Sequence, residues 1–77
     1  MAKHIVRLRA DAIGELRARR HMTQSELAGI VDVDFRYFSR LMRGAAVGTR
    51  VRRRICERLG LDFDALFEIV GPPEAIT

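Results

Sequence analysis

Three arginines and a serine fall on one side of a predicted helix over residues 35–43. On a helical wheel, Arg36, Ser39, Arg40 and Arg43 lie within a narrow arc, and that arc contains no acid. A guanidinium group offers its donors in a fixed fork, which matches phosphate oxygens or the O6 and N7 atoms of guanine. A solvated surface helix usually mixes both signs of charge on its wet face. The pattern therefore favours nucleic-acid binding over a plain solvated face.

Signals at both ends define this helix. Asp34 is placed to accept hydrogen bonds from the first peptide N–H groups, and Gly44 can adopt the left-handed conformation that ends a helix. Phe35 lies at the border between the basic side and the apolar side. The apolar side, which we expect to face the core, consists of Tyr37, Phe38, Leu41 and Met42.

A shorter helix is predicted immediately upstream, over residues 24–30. Thr23, followed three residues later by Glu26, forms the pattern of a capping box at its start. Only residues 31–33 separate this helix from the cap of the next one. The two helices must therefore be joined by a tight turn.

These two helices, with apolar residues on either side, match the pattern of one known family. The matching residues are Thr23-Gln24, Leu27-Ala28, Val33, Phe38, Ser39-Arg40, Leu41 and Gly44, with Ile13, Leu16, Arg17 and Met22 upstream and Ile55, Leu59-Gly60-Leu61-Asp62 and Leu66-Phe67 downstream. In order and spacing they resemble the phage lambda Cro and repressor (XRE-like) family of helix-turn-helix transcriptional regulators. The resemblance covers residues 11–67.

The resemblance implies both a fold and a function. The fold is an all-α domain of five helices, and the function is sequence-specific binding of a double-stranded DNA operator by a Cro-like regulator or a repressor of phage or prophage type. A homodimer is implied, at least on DNA, because one recognition helix reads only a few base pairs. Asp32 stands where the family usually has glycine, so we expect a positive φ there.

The resemblance and the wheel together indicate which residues contact DNA. Arg36 and Arg40 could each fork onto a guanine, and Phe35 could contact a thymine methyl group. The expected base-contacting residues are Phe35, Arg36, Ser39 and Arg40. The expected phosphate-contacting residues are Gln24, which matches the family's phosphate-binding glutamine, and Arg43, Arg50, Arg53 and Arg54.

Three further helices are predicted, at residues 12–20, 50–59 and 63 to about 70, with Asp11, Thr49 and Asp62 as their N-caps. Val6 and Leu8 alternate with arginines near the N-terminus, which indicates extended chain. Three possibilities remain open for this segment: a disordered arm, an arm packed on the domain through Val6 and Leu8, which we favour, or a basic arm that reaches DNA. We divide the chain into an arm (1–10), a DNA-binding domain (11–70) and a flexible tail (71–77).

Length and composition bound these expectations. The chain has 77 residues and a formal net charge of +4, which suits one small domain. Thirteen of the fourteen basic residues are arginine, a bias that fits phosphate and guanine recognition but also fits a GC-rich genome. One cysteine excludes an internal disulfide, and no apolar run reaches membrane-span length. We expect no membrane association and a place in the bacterial cytoplasm or nucleoid, or in the host cytoplasm if a phage encodes the chain.

No motif indicates catalysis. His4 and His21 are too few and too separate for a zinc site, Cys56 lies on an inward stripe, and no P-loop or dinucleotide fingerprint is present. We therefore expect no enzyme activity, no cofactor, no metal and no small-molecule ligand. Two alternatives to a regulator stay open: a protein-binding adaptor or antitoxin with the same fold, and an accessory DNA-binding factor in recombination.

Overall fold

The structure, a computed structural model, describes residues 4–71. The chain runs through one strand, five helices and a second strand. These elements are β1 (Ile5–Leu8), α1 (Ala10–Arg20), α2 (Gln24–Ile30), α3 (Phe35–Met42), α4 (Thr49–Leu59), α5 (Phe63–Leu66) and β2 (Phe67–Val70). The first three residues of the predicted arm, and the predicted tail beyond Gly71, lie outside the described residues.

Apolar residues from all seven elements, together with Val31 and Val47 between helices, form one core. Its members are Leu8, Ile13, Leu27, Ala28, Val31, Phe38, Leu41, Val47, Ile55, Leu59, Leu66 and Phe67. No polar or charged residue within residues 4–71 is buried. The hydrophobic effect therefore acts on all elements at once, which is what a domain of this size needs for stability.

Local hydrogen bonds begin α2 and α3 where the sequence predicts. The Thr23 hydroxyl accepts from the Glu26 N–H at 3.1 Å, and the Glu26 carboxylate accepts from the Thr23 N–H at 2.8 Å, which confirms the capping box. The Asp34 carboxylate accepts from the N–H groups of Arg36 (3.0 Å) and Tyr37 (3.4 Å). These caps satisfy donors that a helix leaves unpaired in its first turn.

The turn between α2 and α3 contains a left-handed residue. Asp32 has φ 57°, which confirms the expected positive φ. Its N–H donates to the Gly29 carbonyl (3.2 Å), and the next N–H, of Val33, donates to the Ala28 carbonyl (3.0 Å). Gly44 (φ 105°) is also left-handed and ends α3, as predicted, and Gly60 (φ 66°) ends α4 in the same way.

The all-α prediction is wrong because β1 and β2 form a two-stranded antiparallel sheet. Their register pairs Ile5 with Val70 and Leu8 with Phe67. The helix predicted from residue 63 to about 70 ends at Leu66. Residues 67–70 are aromatic or β-branched apart from one glutamate, so they fit a pleated strand once β1 offers an edge to pair with. The apolar spacing of 63–70 alone does not reveal that edge.

The N-terminal segment is packed on the domain, the second of the three possibilities. Leu8 is buried, and Val6 packs partly buried against the core. The other edge of β1 is also engaged, since the Val47 N–H donates to the Val6 carbonyl at 2.8 Å. Arg9 holds the junction of α5 and β2: its N–H donates to the Leu66 carbonyl at 2.7 Å, and its side chain donates to two further carbonyls there.

Two predicted N-caps are wrong. α1 begins at Ala10, with Arg9 as its N-cap, and Asp11 lies inside the first turn. α4 begins at Thr49, with Gly48 as its N-cap. Asp62 is the N-cap of α5 as predicted, although its side chain makes no capping hydrogen bond.

Replacing Asp32 with glycine should stabilise the domain. Glycine adopts φ 57° without the steric cost that a Cβ imposes, so we expect a gain of a few tenths to about 1 kcal/mol. Thermal melts of the two proteins measure it. The matched control is Gly60→Ala, where an added Cβ would meet no atom within 4 Å and only the left-handed backbone (φ 66°) opposes it. The control should melt lower. An unchanged or lower melting temperature for Asp32→Gly would contradict the prediction.

Candidate nucleic-acid interface

The basic side of α3 is largely exposed to solvent, whereas the opposite side of the helix is buried in the core. Phe38 and Leu41 have no exposed surface and fix the inner side of the helix in the core. The outer side lines a shallow groove of about 540 Å³. The residues that line this groove are Phe35, Arg36, Ser39, Arg40 and Arg43. All four expected base-contacting residues therefore lie on one surface, together with one expected phosphate contact.

Phe35 is the unusual member of this groove. It is 49% exposed, among the largest exposures of the big apolar side chains within residues 4–71. Burying such a side chain would lower the free energy, so a ligand with an apolar group beside hydrogen-bond acceptors would suit this end of α3.

The Arg40 side chain packs over an aromatic ring of its own helix. Its guanidinium carbon lies 5.6 Å from the centroid of the Tyr37 ring, within the range of a cation–π contact. The wheel placed Tyr37 with the core, and the residue is in fact only partly buried. Its position three residues before an arginine was the available signal, because residues three apart share a helix surface. The Tyr37 ring thus restricts the position of the Arg40 side chain.

Gln24, at the start of α2, reaches α3. Its side-chain amide donates to the Ser39 hydroxyl at 3.0 Å, and the contact is partly buried. The structure therefore brings together one expected phosphate contact and one expected base contact. The Ser39 hydroxyl has one of its lone pairs engaged by Gln24, and its own hydrogen stays available to an acceptor.

The first turns of α4 carry a second group of arginines. No acid lies in the first turn, and Gly48 supplies no capping side chain. Arg50, Arg53 and Arg54 are exposed there. Positive charge at a helix N-terminus opposes the helix dipole, typically by about 0.3–1 kcal/mol per charge, so an anion at this end would relieve an unfavourable arrangement.

Arg52 and Arg54 both make contacts within the chain. Arg52 donates to the Thr49 hydroxyl at 2.7 Å. Arg54 donates to the Asp32 carbonyl at 3.1 Å and lies 4.0 Å from the Asp32 carboxylate. The Arg54 contact joins α4 to the turn before α3 across 22 residues of sequence, and no local pattern predicts it.

Five arginines in or beside α3 and α4 form no ion pair within residues 4–71. The ion pairs within residues 4–71 are Arg7–Glu68, Arg19–Glu15 and Arg54–Asp32. None of them involves Arg36, Arg40, Arg43, Arg50 or Arg53 among the described residues. Ion pairs within the described residues therefore do not neutralise these five guanidinium groups, and their combined positive potential would attract a polyanion.

Three further features of residues 4–71 concern metal binding, thiol reactivity and membrane-spanning helices. No group of three or more histidine, cysteine, aspartate or glutamate side chains there could hold a metal ion. Burial raises the pKa of the Cys56 thiol, with Asp62 and then Glu57 adding to the effect, so thiolate forms less readily than in a free cysteine. No helix within residues 4–71 combines the length and the apolar character needed to cross a bilayer.

α2, the tight turn and α3 form a helix-turn-helix within a domain of five helices, an arrangement that occurs in transcriptional regulators. The chain is similar to the transcriptional regulator VanUg, whose crystal structure (form II) shares 28% sequence identity with a TM-score of 0.69. The match covers 88% of this chain and 91% of the VanUg chain. No protein-family model matches the chain, and no curated protein matches it. Membership of the phage Cro and repressor family stays a prediction.

The raised pKa of Cys56 can be measured with a thiol reagent. Because the thiolate is the reacting form, the rate of reaction with a small aromatic disulfide should reach half its maximum at a higher pH than for an unstructured cysteine peptide. The same protein unfolded in denaturant is the control and should match the peptide. A midpoint at or below that of the peptide would show that burial does not disfavour the thiolate.

Proposed function

We propose that the chain binds double-stranded DNA sequence-specifically through α3 and regulates transcription, as a Cro-like regulator or a repressor of phage or prophage type. The single observation that carries this proposal is the acid-free basic groove on α3, anchored by Phe38 and Leu41, in a fold shared with a transcriptional regulator. A helix-turn-helix uses this face of its second helix in the DNA major groove. The chain is proposed to act in the cytoplasm, without a cofactor or catalytic activity.

Base reading is assigned to the groove residues. Arg36 and Arg40 each offer a fork that fits guanine O6 and N7, and Phe35 fits a thymine methyl group. Arg40 begins in a partly ordered position on Tyr37, 5.6 Å from the ring centroid, so it loses less side-chain entropy on binding than an unrestrained arginine. Ser39 supplies the fourth base contact while it accepts from Gln24.

Phosphate contacts are assigned to residues around the groove. Gln24 lies at the first position of α2, and Arg43 follows the last residue of α3. Arg50 and Arg53 lie at the start of α4, where peptide N–H groups and the helix dipole also favour an anion. Arg54 was expected to join them, and it is already engaged by Asp32.

Homodimerisation is proposed to use the sheet. The Val6 carbonyl bonds to Val47 rather than to β2, so Val6 and its partner Ile69 form a non-hydrogen-bonded pair. The peptide groups of Ile69 therefore point to the outer edge of β2. The Ile69 side chain is also 59% exposed, and Ile5 is 46% exposed on the neighbouring strand. Among residues 4–71, the peptide groups of Ile69 have no partner at this edge, and its side chain is exposed, so the edge is suited to pairing with a second copy.

Salt titrations separate the two kinds of arginine. Arg36→Ala or Arg40→Ala should cost about 1–3 kcal/mol on a duplex chosen by selection from a random pool, and less on random DNA, because base contacts are lost. Arg53→Ala should weaken both duplexes similarly and lower the slope of log affinity against log salt by about one unit, because one phosphate contact is lost.

Two outcomes would count against this assignment. Equal losses on both duplexes for Arg36→Ala and Arg40→Ala would mean that α3 does not read bases through these residues. Retention of the chain on neither heparin nor any duplex would reject DNA binding and favour the protein-binding adaptor or antitoxin.

The dimer is tested by light scattering with and without the selected duplex. We expect two chains per duplex, on half-sites about one helical turn apart. Ile69→Lys should weaken this assembly, because a charge at the strand edge opposes pairing. The control is Ile30→Lys, which alters another exposed isoleucine (39% exposed) away from the sheet and should assemble normally. One chain on a non-palindromic site would overturn the dimer.

A further inference from the structure

The contact between Arg54 and Asp32 joins two parts of the fold that carry the proposed DNA contacts. Arg54 belongs to α4, whose first turns hold Arg50 and Arg53. Asp32 belongs to the turn that sets the direction of α3. The hydrogen bond from the Arg54 guanidinium to the Asp32 carbonyl is 3.1 Å long. The Asp32 carboxylate, which carries the opposite charge, lies 4.0 Å from the same guanidinium.

The left-handed conformation of Asp32 makes this contact possible. With φ 57°, the peptide turns out of the helical direction of α2, so its carbonyl is not committed to a hydrogen bond within that helix. Among the described residues, this carbonyl accepts a hydrogen bond from the Arg54 guanidinium. The N–H groups of Asp32 and Val33 bond back to α2 at 3.2 and 3.0 Å. The turn is thus held by α2 on one side and by α4 on the other.

We propose that Arg54 is a positioning residue that braces the α2–α3 turn from α4. It acts through the turn and not by contact with DNA, and it fixes the basic groove of α3 relative to the arginines at the start of α4. The proposal rests on the proposed function for its effect on DNA binding. The brace itself exists in the free protein and can be tested without DNA.

Hydrogen exchange of the free protein tests the brace. In Arg54→Ala, the amides of Asp32 and Val33 should exchange about two- to tenfold faster, as expected when one exposed hydrogen bond is lost, while the core amides of α1 stay unchanged. Arg53→Ala is the matched control, since it removes the neighbouring arginine and leaves the brace intact. Arg54→Lys keeps a donor and the charge, and should restore most of the protection.

Salt titration then separates a brace from a phosphate contact. Arg54→Ala should bind the selected duplex more weakly with an unchanged salt slope, whereas Arg53→Ala should lower the slope by about one unit. Unchanged exchange at Asp32 and Val33, or a slope lowered by one unit in Arg54→Ala, would overturn the brace. If the unaltered chain binds no duplex, the proposed function fails, and the exchange comparison still decides the role of Arg54.

Discussion

The close packing of α2 against α3 is the constraint on which the rest of the molecule depends. Leu27, Ala28 and Val31 are buried on one side of this contact, and Phe38 and Leu41 on the other. Because the inner side of α3 is fixed by burial, its arginines have only the outer surface available. Burial of large apolar side chains contributes about 1.5–3 kcal/mol each, far more than an exposed ion pair does, so packing and not charge sets the orientation of the basic groove.

The sheet covers another part of the core, and its strand β1 lies in contact with α3. Leu8 and Phe67 face each other across the two strands, and both are buried. Arg9 ties the end of α5 to β2 through main-chain carbonyls, so the first and last described elements stabilise each other. Loss of either strand would expose one large core residue of a small domain whose stability is marginal.

Local chemistry made most helix boundaries predictable. The capping box at Thr23, the cap at Asp34 and the left-handed Gly44 each depend on neighbours within four positions, and all were anticipated. The positive φ of Asp32 was expected from the family resemblance. The strands were not, because pairing of Ile5 with Val70 joins segments at opposite ends of the described chain. Short apolar runs fit helix or strand equally well until their partner is known.

The candidate interface also has one part that the sequence predicts and one part that it does not. Helical periodicity grouped Arg36, Ser39, Arg40 and Arg43 correctly on one side of α3, and it left Phe35 at the border of that side. The contacts that orient it, Gln24 with Ser39 and Arg54 with Asp32, span 15 and 22 residues and depend on tertiary packing. Their prediction would need the crossing geometry of the helices, which no residue pattern contains.

The most direct test of the account is a map of amide chemical shifts on addition of a duplex selected from a random pool. We expect the largest changes in residues 35–43, a second set at the starts of α2 and α4, and small changes in α1. Changes confined to the surface between α1 and α5, or the failure of any duplex to be enriched, would contradict the claim that α3 reads DNA.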